Sequence, residues 1–245
     1  MRTGPTRRRM EGMEHRADTT ADETARLVAL GRDREAALLH ARPDARPDPH
    51  PEPDQGAPVE VTEQLDVVLP TLVGLARTVT PDQLARPTPC ADFTVEGVFA
   101  HMIGGAGLFA AQFRGEGPPE PPADGADLTG DDPVATFVDA MEALAAAATQ
   151  PGALDRTVVS PFGEVTGTFA ARYLVFDGTV HAWDIATATG QRFTPPDALV
   201  ADVLDFAREV IGPEMRVPGA FDPEVVPPAD ASLLVQLVAF TGRTP

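Results

Sequence analysis

Between Thr168 and Thr189 the chain reads as one long helix, and ionisable residues fall inside its apolar arc. At about 100° per residue, Ala170, Tyr173, Leu174, Asp177, His181, Asp184 and Ala188 lie on a single stripe. Phe169, Phe176, Val180 and Trp183 flank it on one side and Ile185 on the other. Asp177 and His181 therefore face a protein interior, not solvent. An unpaired buried carboxylate costs on the order of several kcal/mol, so Asp177 must be ion-paired, hydrogen-bonded or metal-bound. Positions i and i+4 share one helix face a turn apart, so Asp177 and His181 can grip one ion together.

The neighbours of this helix are also helical. Val61 to about Val79 carries Leu65, Val68, Leu69, Leu72 and Leu75 at helical spacing. Thr94 suits the N-cap of a second helix running to about Arg114, with Glu96 in its positive first turn. A third spans about Pro133 to Thr149, and the fourth ends at Gly190, a fitting C′ residue. A fifth, Pro196 to Ile211, starts with proline in its first turn. Strand signals are confined to Thr157-Val-Val and Glu164-Val-Thr around a Pro-Phe-Gly turn. Loops of roughly 15 to 20 residues beside the third helix predict a crossover connection. The expected fold is all-α: a four-helix bundle over residues 60–212 that includes an added fifth helix. Residues 213–245 form a short, irregular extension packed on the bundle, with a turn or two of helix around Ser232 to Phe240.

Residues 1–59 read as an Arg/Pro-rich, largely disordered tail. Thr20-Ala-Asp-Glu23 fits a capping box and opens a possible helix at 20–40. Ala41 to Pro58 is a Pro- and Asp-dense linker. Met10 and Met13 are alternative starts. His15, His40 and His50 are read as solvated, and Arg7-Arg8-Arg9 as a tail feature without the apolar run of an export signal.

His101 is the only other histidine beyond residue 59. Of its helical neighbours Gly97, Val98, Gly104 and Gly105, three lack a side chain. Each interior glycine costs about 1 kcal/mol relative to alanine. That expense points to space kept clear at His101, or to close helix–helix approach. Together, His101, Asp177 and His181 make a two-histidine, one-carboxylate set with coordination positions left open, as a catalytic metal requires. Zinc is the default, and iron and nickel suit the same donors. Asp184, one turn on, can orient a ligand from behind or hold a polar contact near the helix end. The alternative for the whole group is an Asp–His ion pair or hydrogen bonds across the bundle.

Cys90 precedes the cap of the second helix, whereas His101 lies roughly 9 Å inside it along the axis. On that count Cys90 is too far back to be a ligand and reads as a packed thiol, with a nucleophile as the competing reading. One cysteine excludes an internal disulfide framework and suits a reducing cytoplasm. Residues 60–245 hold 26 acids against 9 arginines, so their surface repels nucleic acid phosphates and anionic lipid. No apolar stretch is long enough to span a bilayer. The chain has neither lysine nor asparagine and only three isoleucines, a codon bias that points to a GC-rich, actinobacterial source.

Thr88-Pro-Cys-Ala-Asp-Phe-Thr-Val-Glu-Gly-Val-Phe-Ala-His101 resembles the segment leading to the first histidine of the DinB-like superfamily. Within it, the match is to the N-terminal domain of mycothiol-dependent maleylpyruvate isomerase. Phe176-Asp-Gly-Thr-Val-His-Ala-Trp-Asp-Ile-Ala-Thr-Ala-Thr-Gly190 is similar to the second ligand helix of an actinobacterial metal-binding subfamily. The ending, Ala231-Ser-Leu-Leu through Thr241-Gly-Arg-Thr-Pro245, is similar to it as well. The resemblance implies a DinB-like bundle with a divalent metal, usually zinc, on His101, Asp177 and His181. It also implies mycothiol or a related small thiol as coreactant and an electrophilic small molecule as substrate. The isomerase carries glutamate where Asp177 stands, which sets the carboxylate oxygens here about one methylene back.

The leading expectation is a metal- and thiol-dependent transferase or isomerase. A non-catalytic metal-binding bundle acting as a binding or sensory module is the first alternative. A metal-dependent hydrolase is the second, weakened because no separate general base stands near the ligands.

Overall fold

Helix ends leave backbone N–H groups without partners, and this chain places a polar residue at four of those ends. Thr94 accepts from the Gly97 N–H at 3.1 Å, Asp132 from Ala135 at 3.0 Å, Thr166 from Phe169 at 3.1 Å and Ser232 from Val235 at 3.4 Å. The computed structural model describes residues 60–91, 93–123, 125–160, 163–216 and 220–245. The possible helix at 20–40, the three tail histidines and the Arg7–Arg9 run lie outside them.

Among the described residues, seven α-helices and one hairpin follow in order. They are α1 (Val61–Ala76), α2 (Pro81–Leu84), α3 (Val95–Phe113), α4 (Pro133–Ala148), β1 (Thr157–Ser160), β2 (Gly163–Thr166), α5 (Gly167–Thr189), α6 (Asp197–Val210) and α7 (Leu233–Phe240). A 3-10 turn covers Pro213–Met215. The all-α expectation holds, with a small antiparallel hairpin that pairs Thr157 with Thr166 and Ser160 with Gly163.

Some boundaries differ for local reasons. α1 stops at Ala76, not Val79, because Thr78 and Val79 turn their N–H groups back to the Leu75 and Ala76 carbonyls. The connection from Pro81 includes α2, a single turn whose Gln83 side chain accepts from the Thr80 N–H at 2.9 Å. Four residues are too few to show a period. Pro196 stands at the N-cap of α6 and not inside its first turn. Gly190 closes α5 at φ 75°, the left-handed conformation that its glycine permits.

α1 packs against α4 and α5, and α3 packs against the same two helices. α1 and α3 therefore oppose each other across one diagonal, and α4 and α5 across the other. The chain crosses the bundle twice, from α1 to α3 and from α4 through the hairpin to α5. The long loop from α3 to α4 joins neighbours. Phe99 of α3 stacks on Phe137 of α4 with ring centroids 4.3 Å apart, and both are fully buried. α1 and α5 approach closely at Gly178, where a Cβ would lie 2.7 Å from Val68 Cγ1 and 3.2 Å from Leu72 Cδ1.

The hairpin is tied to the bundle by Gln112 of α3. Its buried side chain accepts from the Val159 N–H and donates to the Val159 carbonyl at 3.0 Å, covering an open strand edge. α6 lies on α5, and α7 on α6. The segment before α7 returns along it, with the Val225 N–H donating to the Ala239 carbonyl at 2.9 Å. Among the described residues, no helix is long and apolar enough to cross a membrane.

Candidate metal centre

The apolar surroundings of α5 hold three ionisable side chains on successive turns, and each has a partner. Asp177 lies between the histidines: its Oδ1 is 3.5 Å from His101 Nε2 and 3.6 Å from His181 Nε2. The two imidazoles meet edge to face with centroids 5.0 Å apart. One donor atom from each of His101, Asp177 and His181 falls within 4.8 Å of the others. α5 supplies two donors because i and i+4 share a face, and α3 supplies the third across the bundle.

The site is closed on one side and open on the other. His181 is buried, whereas the His101 side chain is 41% exposed and that of Asp177 19%. Phe93, in the loop before α3, packs against the His101 ring with centroids 5.8 Å apart. The three glycines beside His101 divide in their reasons. A Cβ at Gly97 would meet Phe93 Cδ1 at 3.0 Å, so close packing explains that one. At Gly104 it would touch Leu128 Cδ1 at 3.4 Å, and at Gly105 it would meet nothing within 4 Å. Only Gly105 borders cleared space.

Asp184 stands behind His181. Its Oδ2 lies 2.9 Å from His181 Nδ1, which leaves Nε2 directed at Asp177. Arg243, from the segment after α7, grips the same carboxylate: Nη2 donates to Oδ2 at 3.0 Å and Nε to Oδ1 at 3.3 Å. Arg243 Nη1 also donates to the Thr241 carbonyl at 3.2 Å. Asp184 and Arg243 are both buried. A buried carboxylate inside an apolar helix requires such a partner, but nothing in the sequence near Asp184 says which of the four downstream arginines supplies it.

Cys90 is displaced from its expected place. The segment before α3 folds back on itself: Phe93 N–H donates to the Cys90 carbonyl at 3.1 Å, Thr88 N–H to Phe93 at 2.9 Å, and Val95 N–H to Arg86 at 3.0 Å. Counting back along the α3 axis treats this segment as straight and so puts the thiol too far away. Instead its sulfur joins His181 and Asp184, one donor atom from each lying within 4.8 Å.

The charges follow from this packing. Burial disfavours the Asp177 anion, but the imidazoles of His181 and His101 and the more distant Arg243 outweigh it and bring its pKa down to about 2. Burial lowers the pKa of His101, yet the Asp177 carboxylate wins and holds it above 6.5. Burial raises that of Asp184, and His181 and Arg243 reverse the shift. Cys90 is pushed up to about 11, by burial first and by Asp184 and Asp177, against a downward pull from Arg243. Its thiol is protonated at neutral pH and is not a free nucleophile.

Residues 65–186, which include all three donors, match the family described as the mycothiol maleylpyruvate isomerase N-terminal domain, a DinB-like helical fold. The chain is also 37% identical over 174 residues to the uncharacterized proteins Rv0738 and MT0763 of two Mycobacterium tuberculosis strains. Those alignments cover 69% of this chain and 90% of each relative. No solved structure was found to match.

Proposed function

This chain belongs to the mycothiol maleylpyruvate isomerase N-terminal domain family, and we propose that its bundle holds one divalent metal ion on His101, Asp177 and His181. The site would serve a transferase or isomerase that joins a low-molecular-weight thiol such as mycothiol to an electrophilic small molecule. The convergence of three donors within 4.8 Å, open to solvent at His101, is the observation that carries this reading.

The residues fit such an ion. Asp177 is anionic at neutral pH, and each histidine turns Nε2 toward it. Two imidazoles and one carboxylate are borderline donors that suit zinc, with iron and nickel also compatible. When bound, the ion would supply the Lewis acidity that keeps a coordinated thiol ionised.

The protein's own part is positional. Asp184 holds His181 by Nδ1, so the ring presents Nε2 to the site. The exposed edge of His101 and the cleared space at Gly105 leave the approach for a thiol. Phe93 packs against the His101 ring with centroids 5.8 Å apart and helps to fix its position. Cys90, held protonated, offers no internal thiolate to compete with an incoming one.

The exposure of His101 argues against a closed structural ion. A hydrolase would need a free general base, and Asp184 is committed to His181 and Arg243. Elemental analysis followed by titration with mycothiol tests the reading. About one metal ion per chain, lost in His101→Ala, together with a rise in Tm on adding mycothiol, is the expected result. A metal-free protein after gentle purification overturns the metal site. An unchanged Tm at saturating mycothiol overturns the thiol.

A further inference from the structure

His181 belongs to two donor groups. One is His101, Asp177 and His181, and the other is Cys90, His181 and Asp184; in each, the donor atoms lie within 4.8 Å of one another. The second is the softer set, because it contains a thiol, and soft donors favour zinc and similar ions over harder ones. Nothing in the spacing of donors alone decides between them.

The difference lies in what already occupies them. In the first group, Asp177 Oδ1 stands 3.5 Å from His101 Nε2 and 3.6 Å from His181 Nε2, distances an ion can replace. In the second, both oxygens of Asp184 are taken by Arg243, and Oδ2 is also 2.9 Å from His181 Nδ1. A fork-to-carboxylate pair of this kind fixes geometry as well as charge. The guanidinium is anchored in turn by the Thr241 carbonyl at 3.2 Å. Thr241 is buried, and Gly242, at φ 90°, makes the turn that delivers Arg243. A cation seated in this position repels a second one.

We propose that Arg243 selects between these two donor sets: by occupying Asp184 it keeps the Cys90–His181–Asp184 group closed to metal and leaves His181 Nε2 to the group with His101 and Asp177. Arg243 is a positioning residue in this account, acting through Asp184. Cys90, His181 and Asp184 form a latent thiolate-containing site. Metal entry there would require the Cys90 S–H to release its proton to solvent, as coordinated thiols do. The inference rests on the metal reading above for the identity of the site that Arg243 favours.

Cobalt(II) is the probe, because its d–d absorption reports coordination and a thiolate ligand adds a separate near-ultraviolet charge-transfer band. The full chain should bind cobalt without that band. Arg243→Gln should acquire it at the same cobalt loading, and Arg243→Gln/Cys90→Ser should lose it again. Arg243→Lys carries one ammonium that cannot span both carboxylate oxygens, so it should show a weaker band; it also serves as the test if Arg243→Gln does not fold. A thiolate band in the wild-type chain, or none in any folded Arg243 variant, overturns the selection. If the wild-type chain takes up no cobalt at all, the His101–Asp177–His181 reading fails on its own, and the Arg243 variants still decide whether the second set exists.

Discussion

Arg243 and Asp184 meet through two hydrogen bonds, 3.0 Å from Nη2 to Oδ2 and 3.3 Å from Nε to Oδ1, with both side chains buried. Removing one member of such a pair strands the other charge without water. Asp184→Ala should destabilise the metal-free protein by about 3–5 kcal/mol, and Asp184→Ala/Arg243→Met should recover most of the loss. Denaturant unfolding of the two variants checks this. A single variant as stable as the parent would show that the pair is not holding the C-terminal segment.

The proposed metal ligands and their support should separate by degree. His181→Ala should abolish metal retention, since it removes the donor common to both groups. Asp184→Asn should keep about one ion per chain but bind it roughly 10- to 100-fold more weakly, as expected when an orienting partner is lost. Metal content after dialysis and competition with a chromophoric chelator measure these effects. Equal losses in the two variants would contradict a supporting role for Asp184.

Metal and protons should compete at His101. Its folded pKa is raised above 6.5, so its ion pair with Asp177 stabilises the metal-free protein fully below that value and is lost as pH rises through the raised pKa. Asp177 works in the other direction: its contribution is present above 3.8 and disappears as pH falls toward about 2. The metal-free site is therefore most stabilising in mildly acidic solution. Metal binding needs neutral imidazoles, so affinity should fall as pH drops through the His101 pKa, with protons released on uptake. Calorimetric titration in buffers of different ionisation enthalpy reads that proton count. Affinity independent of pH across this window would exclude His101 as a ligand.

Two glycines should respond oppositely to alanine. Gly242 has φ 90°, and a Cβ there would sit 2.6 Å from Asp222 Cβ and 2.8 Å from the Asp222 carbonyl oxygen. Gly242→Ala should cost about 1–3 kcal/mol and weaken the hold of Arg243 on Asp184. Gly105 lies in a helix with open space beyond it, so Gly105→Ala should stabilise by up to about 1 kcal/mol. If a thiol uses that space, the same substitution should slow thiol binding without altering metal content. Thermal melts and stopped-flow binding distinguish the two effects.

Much of the bundle is legible because its signals are local. Thr94 and Gly190 state their structure within one turn, the Thr157 and Glu164 strands within one hairpin, and the apolar stripe of α5 within one helix. The stripe also identifies Asp177 and His181 as interior. What escapes is set by tertiary return. Cys90 is misjudged because the backbone bonds that fold residues 86–95 back on themselves have no composition signature. Arg243 escapes because Asp184 lies 59 positions away and any of several arginines would satisfy its charge. The glycines beside His101 read as one group, yet Phe93 packing accounts for Gly97 and open space for Gly105.

The double diagonal of the bundle bears on when a metal could first bind. α1 finds its partner α5 only after most of the chain has emerged, and Gln191 reaches the Leu75 carbonyl across 116 positions. Loop closure over such separations is entropically slow, so this pairing belongs late in folding. His101 and Asp177 come from helices that meet in the same closure. An ion held between them would thus bind only a finished bundle, and its uptake would report that α5 has docked.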